Sequence, residues 1–190
     1  MKVLNIKFRR TKKVYPFFVD DSLNYAKGDY VIVETIRGDQ IGIVIGETEK
    51  YDETLVDEDG VKIREVKRKL DTSEIEKLSK LDEKAYEAYF VCKKIVREKL
   101  PEMNLVIGEY TFDENKLIFY FTANSRLDFR ELVKEVNKTF KKRVEFYQIK
   151  PNDEGRILST FGRYGKDRLE KSKNDSQRME AGRLRTTNIH

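Results

Sequence analysis

Side chains that could make or break covalent bonds are scarce in this sequence. The one histidine, His190, is the last residue, and a histidine at a chain end is a poor general base because nothing positions it. Neighbouring carboxylates occur at Asp20-Asp21 and at 57–59, but no histidine accompanies them to complete a metal site. No glycine loop of the phosphate-cradling kind is present. The sequence therefore predicts a protein that is not an enzyme, with no catalytic, cofactor-binding or metal-binding residues.

The elements that would position a functional surface begin with a helix. A long apolar stripe predicts a helix that starts at a capping box of Ser73 and Glu76 and ends before Pro101, with Asp82 as a possible restart. The single cysteine, Cys92, lies on this stripe, where it is expected to be a buried structural residue.

Strand patterns and a second helix follow. Residues Leu105 to Phe112 and Leu117 to Thr122 predict two strands around a tight turn, and Arg143 to Ile149 predicts a third. Between them, Asp128 is the predicted N-cap of an amphipathic helix, with Glu131 completing its capping box. The order helix, strand, strand, helix, strand predicts an α+β sandwich in which two helices cover one face of a small sheet.

The first part of the chain has a different pattern. Several short strands at close spacing predict a small β-barrel-like domain. They are Val3 to Phe8, Val14 to Val19, Tyr30 to Ile36 and Ile41 to Ile45, with Val61 to Val66 as a possible fifth. The acidic run Glu47 to Gly60 is expected to be an exposed loop. A change of hydrophobic period near Leu70 to Thr72 divides the chain into a β-rich domain over 1–70, an α+β domain over 71–158 and a basic, possibly disordered tail over 159–190.

Composition limits the classes of protein that fit. Hydrophobic and charged residues each make up 38% of the chain, and no apolar run approaches the roughly 20 residues that span a bilayer. One cysteine excludes an internal disulfide and fits a reducing cytoplasm, so a cytoplasmic protein without membrane insertion is expected. Residues 150–190 carry ten Lys and Arg against six Asp and Glu, which is most of the net charge of +5. Such a tail either attracts an acidic partner or is simply solvated.

Nucleic-acid binding is an alternative to a role in protein–protein contacts. A basic cluster at the first hairpin lies beside aromatic residues that could stack on bases if they were exposed. The cluster consists of Lys7, Arg9, Arg10, Lys12 and Lys13, and the aromatic residues are Tyr15, Phe17 and Phe18. If the aromatic residues belong to the core instead, the cations only cap a turn.

Three segments of the chain carry specific motifs: KGDYVIVETIRG from Lys27 to Gly38, EYTFDENKLIFYFTANSRLDFRELVKEV from Glu109 to Val136, and RVEFYQIKPNDEGRIL from Arg143 to Leu158. These segments resemble the bacterial YaaT family, also called RicT, whose hallmark is the PSP-one C-terminal domain. The resemblance runs from about Val3 to about Leu158, and LIFYFTANSRLDFRELV is its most specific part.

The resemblance implies a non-enzymatic adaptor. Members of the family act in the cytoplasm in a complex with RicA and RicF proteins, which supports messenger-RNA processing by endoribonuclease Y and is linked to sporulation, competence and biofilm control. The resemblance implies the same kinds of partner here, with direct RNA binding as the alternative.

The sequence departs from the family in a stretch of the form G-x-C-G-x-x-L-C-C, which helps to bind iron–sulfur clusters. Here Tyr164, Leu169 and Glu170 occupy the cysteine positions. Clusters are held mainly by several thiolates, so no cluster or other cofactor is expected within this chain.

A partner-binding surface is expected beside the most family-like segment and along the start of the tail. Its candidate residues are cations without an evident folding role: Arg126, Arg130, Lys150, Arg156, Arg163, Lys166 and Arg168.

Overall fold

The chain divides into two compact units, the first ending at Lys80 and the second beginning at Leu81. The computed structural model describes residues 2–35, 38–50, 54, 56, 60 and 62–171. Within these ranges the fold is mixed α/β, with a curled five-stranded antiparallel sheet, a separate three-stranded sheet and four helices.

The first unit is built on the curled sheet. Its strands are β1 (Lys2–Phe8), β2 (Val14–Val19), β3 (Tyr30–Thr35), β4 (Gly38–Lys50) and β5 (Val66–Lys69), in the spatial order β2-β1-β4-β3-β5. The sheet bends towards closure, because the Phe18 N–H donates to the Arg64 carbonyl oxygen (3.1 Å) and Phe18 forms a parallel bridge with Glu65. Alternate residues such as Leu4, Ile6 and Val44 are buried inside the curl, as the period-two pattern requires.

Two strand bounds in this unit differ from the predicted ones. The fifth strand is Val66–Lys69 and not Val61 to Val66, because pairing with β3 begins at Val66. Strand β4 continues to Lys50, so the first residues of the predicted loop Glu47 to Gly60 belong to a strand. Pairing explains this extension. Strand β4 lies between β1 and β3, and its pairing with β1 continues to Lys50, which is the partner of Lys2. Residues 36–37 and most of 51–61 lie outside the described residues.

Helix α1 (Thr72–Lys99) is one continuous helix, so Asp82 does not restart it. Its capping box is formed by Asp71 and Glu74, two residues before the predicted pair. The Asp71 carboxylate accepts from the Glu74 N–H (2.8 Å), and the Glu74 carboxylate accepts from the Asp71 N–H (3.2 Å). Arg68 selects this register, because its guanidinium donates to both Glu74 oxygens at 2.7 Å and thereby lowers the pKa of Glu74 to about 2.

The second unit contains strands β6 (Asn104–Tyr110), β7 (Lys116–Thr122) and β8 (Arg143–Gln148), with helix α2 (Arg130–Phe140) between β7 and β8. Strands β6 and β7 are antiparallel, whereas β7 and β8 are parallel, and α2 is the crossover that a parallel pair needs. The residue that precedes α2 is Phe129, so the predicted N-cap Asp128 is wrong by one position. Asp128 still accepts the Arg130 N–H (3.2 Å).

Both faces of the three-stranded sheet are covered by apolar side chains. One cluster joins residues of α1 and α2 to Leu117, Phe119 and Phe121 of β7. A second cluster contains Val106 and Ile107 of β6 together with residues from beyond β8. Apolar residues from the end of the predicted α+β domain and the start of the predicted tail therefore pack on the face opposite α1 and α2, which the sequence did not predict.

These residues belong to two further helices, α3 (Glu154–Ser159), which follows the 3-10 turn Pro151–Asp153, and α4, described over residues 162–171. Gly162 has a φ of 58°, a conformation that suits glycine, and it allows the chain to turn between the two helices. At Gly165, a Cβ atom would lie 1.7 Å from the Leu158 carbonyl oxygen, so α4 approaches the backbone of α3 too closely for a side chain. Residues 172–190 of the predicted tail lie outside the described residues.

Within the described ranges, no helix combines the length and the apolar composition needed to cross a bilayer.

The close approach at Gly165 predicts a position-specific effect on stability. Gly165→Ala should lower the free energy of unfolding by roughly 2 kcal/mol, because the added methyl group meets rigid backbone. Gly155→Ala is the matched control, since a Cβ at this helical position meets open space, and it should raise the free energy of unfolding by about 0.4–1 kcal/mol. Urea denaturation measures both, and equal effects of the two changes would contradict the close packing of α3 and α4.

Candidate partner-binding surface

The parallel pairing of β7 and β8 places two of the candidate segments at the same end of the sheet. Phe121 is paired with Gln148, and the Ile149 N–H donates to the Phe121 carbonyl oxygen (2.8 Å). The loop after β7, which carries Arg126, and the segment after β8, which carries Lys150, therefore leave the sheet side by side. Both of these side chains are exposed.

Arg130 at the start of α2 is held in a fork with Asp128. Its Nε and Nη2 atoms donate to the two Asp128 oxygens at 3.0 and 2.8 Å. These bonds lower the pKa of Asp128 to about 2, so the carboxylate is charged at neutral pH. The Arg130 side chain is nevertheless 85% exposed, and an ion pair this exposed contributes little to stability. The fork orients the guanidinium and leaves it accessible.

A hollow of about 620 Å³ lies on the first turns of α2 beside this fork. Phe129 and Val133 provide its apolar part, and both are only partly buried, although they also pack against the main core of the unit. Asp128, Arg130, Glu131 and Lys134 provide its charged part. The arrangement is an apolar depression bordered by charged side chains, which is the composition of many contact sites between proteins.

The other cations of the predicted surface have different environments. Arg156 lies 3.7 Å from Asp153, one turn earlier along α3. On α4, the Arg163 guanidinium lies over the Tyr164 ring, 4.8 Å from its centroid, and Lys166 is exposed. The structure thus places Arg156, Arg163 and Lys166 where a partner can reach them.

Arg168 is a structural residue and does not belong to that surface. It is only 4% exposed, its Nε donates to the Val106 carbonyl oxygen (3.0 Å), and its guanidinium lies 4.6 Å from the centroid of the Tyr89 ring. A buried guanidinium needs such partners, and here they join α4 to α1 and β6. The hydroxyl of Tyr86 adds a hydrogen bond to the Asp167 carboxylate.

The basic cluster of the first hairpin does not stand beside exposed aromatic residues. Phe17 is buried in the core of the curled sheet, and Tyr15 packs against that core and against Phe8 (5.1 Å between ring centroids). Phe18 is partly buried and its backbone takes part in closing the curl. The five cations Lys7, Arg9, Arg10, Lys12 and Lys13 lie in β1 and in the connection to β2, next to rings that are occupied by packing.

Comparison with known proteins connects this architecture to a family. Residues 64–149 match the PSP1 C-terminal conserved region. The stage 0 sporulation protein YaaT of Bacillus subtilis is 37% identical over 164 residues, which cover 86% of this chain and 58% of that protein.

The chain belongs to the YaaT family. It matches two fungal proteins as well: an uncharacterised protein of Schizosaccharomyces pombe is 28% identical over 67% of this chain and 21% of its own length, and the protein PSP1 of Saccharomyces cerevisiae is 42% identical over 28% of this chain and 6% of its own length. The chain thus spans little more than half of the Bacillus relative and much less of the fungal ones. No solved structure matches it. Since the Bacillus relative is named as a sporulation protein, the family is sporulation-related.

The three positions at which the resemblance to the family implies cysteines lie on α4. Tyr164 packs at a tilt against Tyr86 (5.1 Å between ring centroids), Leu169 packs against the second apolar cluster, and Glu170 is exposed. Cys92 is fully buried in α1, as predicted, and burial raises the pKa of its thiol to about 12. These side chains offer no set of thiolates, so they do not fit an iron–sulfur cluster.

Reasoning from the sequence missed the apolar part of the hollow. Phe129 and Val133 fall on the apolar stripe of α2, which predicted a uniformly buried face, but only Leu132 and Val136 of this helix are buried. It also missed Asn137, whose side-chain oxygen accepts the Val144 N–H (2.8 Å) at the outer side of β8. The polar Asn137 within the stripe was a signal that one side of α2 faces backbone.

The interior position of Arg168 predicts a stability effect that its neighbours do not share. Arg168→Met should lower the free energy of unfolding by about 2 kcal/mol, because the Val106 carbonyl oxygen loses its donor and the contact with the Tyr89 ring is lost. Lys166→Met, a matched change at an exposed position of the same helix, should alter it by less than about 0.5 kcal/mol. Urea denaturation of the two variants measures the difference, and similar values would place Arg168 on the surface.

Burial of Cys92 predicts slow thiol chemistry. At pH 8 an aromatic disulfide reagent should label the native protein far more slowly than the urea-unfolded protein, because the reactive thiolate is suppressed and the sulfur is covered. The raised pKa also predicts that the stabilisation from burying the neutral thiol is complete below about pH 9 and decreases as the pH rises towards 12. The labelling rates are measured by the absorbance of the released aromatic thiol, and equal rates in the two states would contradict the buried position. The pH dependence is measured by urea denaturation between pH 8 and pH 11.

Proposed function

We propose that this chain is a cytoplasmic, non-enzymatic adaptor of the YaaT/RicT type. In this proposal it joins a complex with RicA-like and RicF-like proteins that promotes messenger-RNA processing by endoribonuclease Y. It holds no iron–sulfur cluster of its own. The chain spans 58% of the Bacillus relative, so these partners belong to the proposal and are not carried over from that protein as a whole.

The observation that supports the proposal most strongly is the surface formed by Arg126, Asp128 and Arg130. It lies in the segment of the chain that most resembles the family. Its side chains are exposed, and the Asp128–Arg130 fork orients a charged group that the fold does not need for stability. A surface on which oriented charged groups lie beside an apolar hollow is typical of a binding site for another protein.

The position of this surface also fits the architecture that we infer for the second unit, a small sheet whose one face is covered by α1 and α2. In that arrangement α2 presents its first turns at the end of the sheet where the loops after β7 and β8 emerge. Direct RNA binding through the first hairpin has less support, because Tyr15 and Phe17 are engaged in packing and cannot serve as a stacking platform.

Charge reversal tests the proposed surface. The double change Arg126→Glu and Arg130→Glu should reduce recovery of RicA-like and RicF-like proteins in a pull-down by about tenfold, because it replaces the oriented cations of the surface with anions. The melting temperature should stay nearly unchanged, since both side chains are exposed.

The matched control is the double change Lys12→Glu and Lys13→Glu at the first hairpin, which should leave partner recovery as in the wild type. Undiminished recovery with the Arg126 and Arg130 variant would show that the partner-binding surface lies elsewhere. A salt-sensitive affinity for single-stranded RNA that the Lys12 and Lys13 variant abolishes would favour the RNA-binding alternative.

A further inference from the structure

The edges of the two sheets differ in how well they are protected. Among the described strands, β2 and β5 are the edges of the curled sheet, and they approach each other through the Phe18–Arg64 hydrogen bond and the bridge at Glu65. The β6 edge of the second sheet is capped at Val106 by the Arg168 guanidinium and contains a break in register after Leu105. Strand β8 has neither protection: its register with β7 is unbroken over all 6 residues and it contains no proline.

Two hydrogen bonds show which backbone groups of β8 point towards β7 and which point away from it. The Ile149 N–H points towards β7 and donates to the Phe121 carbonyl oxygen, whereas the Val144 N–H points away and donates to the Asn137 side chain. Because successive residues of a strand alternate in direction, the N–H and C=O groups of Phe146 and Gln148 also point away from β7. Among the residues that the structure describes, only Asn137 bonds to this edge, so the outward backbone groups of Phe146 and Gln148 have the geometry that another strand requires.

The helix beside this edge carries positive charge. Asn137 marks the side of α2 that faces the outer edge of β8, and helical periodicity puts Arg130, Val133, Lys134 and Lys141 on the same side. The side chains of Arg130 and Lys134 are 85% and 76% exposed, and Lys141 is exposed as well. Two more exposed cations lie at the ends of the strand: Lys150, and Arg143, which is 3.4 Å from the Glu145 carboxylate.

The nearby acidic groups do not cancel this charge. Asp128 and Glu131 pair with Arg130 and Lys134, but both pairs are exposed and can exchange partners easily. The side chain of Glu145 points to the opposite face of the sheet from those of Val144 and Phe146, so it lies away from α2. There it pairs with Lys116 (3.2 Å). An incoming strand would therefore meet an excess of positive charge on the α2 side, together with the apolar surface of Val133.

We propose that the outer edge of β8 binds an extended acidic segment of a partner protein as an added strand of the three-stranded sheet. Backbone hydrogen bonds to Phe146 and Gln148 would provide affinity. On the side of the added strand that faces α2, an apolar side chain would reach Val133 and the hollow. Acidic side chains at other positions on that same side would meet Lys134 and Lys141. This mode of recognition combines strand addition with pockets for alternate side chains. The inference rests on the proposed adaptor function and specifies how the partner binds.

A proline substitution tests the backbone contact in the full chain. The probe is a fluorescently labelled, acetylated peptide in which every second residue is valine or glutamate, with threonine between them, so that both types face the same side. A version with lysine in place of glutamate is its charge control. Gln148→Pro should weaken binding of the acidic peptide by about tenfold, because it removes an outward N–H and places a ring in the path of the added strand. Gln148→Ala, which keeps the N–H, should bind as the wild type does.

The fold should survive Gln148→Pro, since the lost N–H does not bond to β7 and proline is tolerated on edge strands. Circular dichroism and the melting temperature check this. Wild-type protein that fails to bind the acidic peptide, or a folded proline variant that binds it undiminished, would overturn the proposal.

The charge contribution has its own pair of variants. Lys134→Glu should weaken binding of the acidic peptide severalfold and reduce its salt dependence, whereas Lys166→Glu, at an exposed position of α4 on the other face of the sheet, should have little effect. Equal binding of the lysine peptide would overturn the choice of an acidic partner. So would a wild-type dimer that Gln148→Pro converts to a monomer, or single-stranded RNA that protects the Phe146 and Gln148 amides from exchange.

Pull-down of RicA-like and RicF-like proteins separates this inference from the proposed function. Recovery by the wild type that Gln148→Pro reduces, and Gln148→Ala does not, supports both. Recovery that Gln148→Pro leaves intact overturns the role of the β8 edge while the adaptor function stands. If the wild type recovers neither protein but binds the acidic peptide at β8, the named partners are wrong and the strand-binding edge stands.

Discussion

The parallel pairing of β7 and β8 is the constraint on which the surface of the second unit depends. A parallel pair cannot be closed by a tight turn, so the chain must cross over through α2 before it returns. This crossover brings the loop with Arg126 and the segment with Lys150 out at the same end of the sheet. It also makes β8 an edge strand with α2 beside it, so one topological choice creates both the exposed fork of Asp128 and Arg130 and the adjacent backbone edge.

The segment after β8, which includes the start of the predicted tail, has a different role from the one its charge suggests. Ile157, Leu158 and Phe161 form an apolar cluster against β6, and Arg168 closes the edge of that strand with a hydrogen bond to Val106. Helix α4 thus uses a buried cation and aromatic contacts to cover the face and the edge of the sheet that α1 and α2 leave open. The resemblance implies a cysteine-rich stretch in this segment, whereas here Tyr164 and Leu169 serve packing.

Local sequence patterns predicted the helices and strands better than they predicted the long-range contacts that set their ends. Strand β7 and helix α2 were found within one or two residues, because alternation and the helical stripe are properties of neighbouring residues. The capping box of α1 was misplaced by two residues, since a long-range ion pair from Arg68 decides which carboxylate caps the helix. The end of β4 was missed for the same reason: pairing with β1 extends it beyond its apolar run.

The sequence by itself determined the scarcity of catalytic groups, the burial of Cys92 and the resemblance to the YaaT family, because composition, period and motif are read along the chain. Only the tertiary structure decided that Arg168 is interior while Lys166 is exposed, that Phe129 and Val133 border a hollow, and that β8 is an unprotected edge. Each of these depends on which distant backbone and ring lie next to a residue, and neither charge nor periodicity along the chain carries that information.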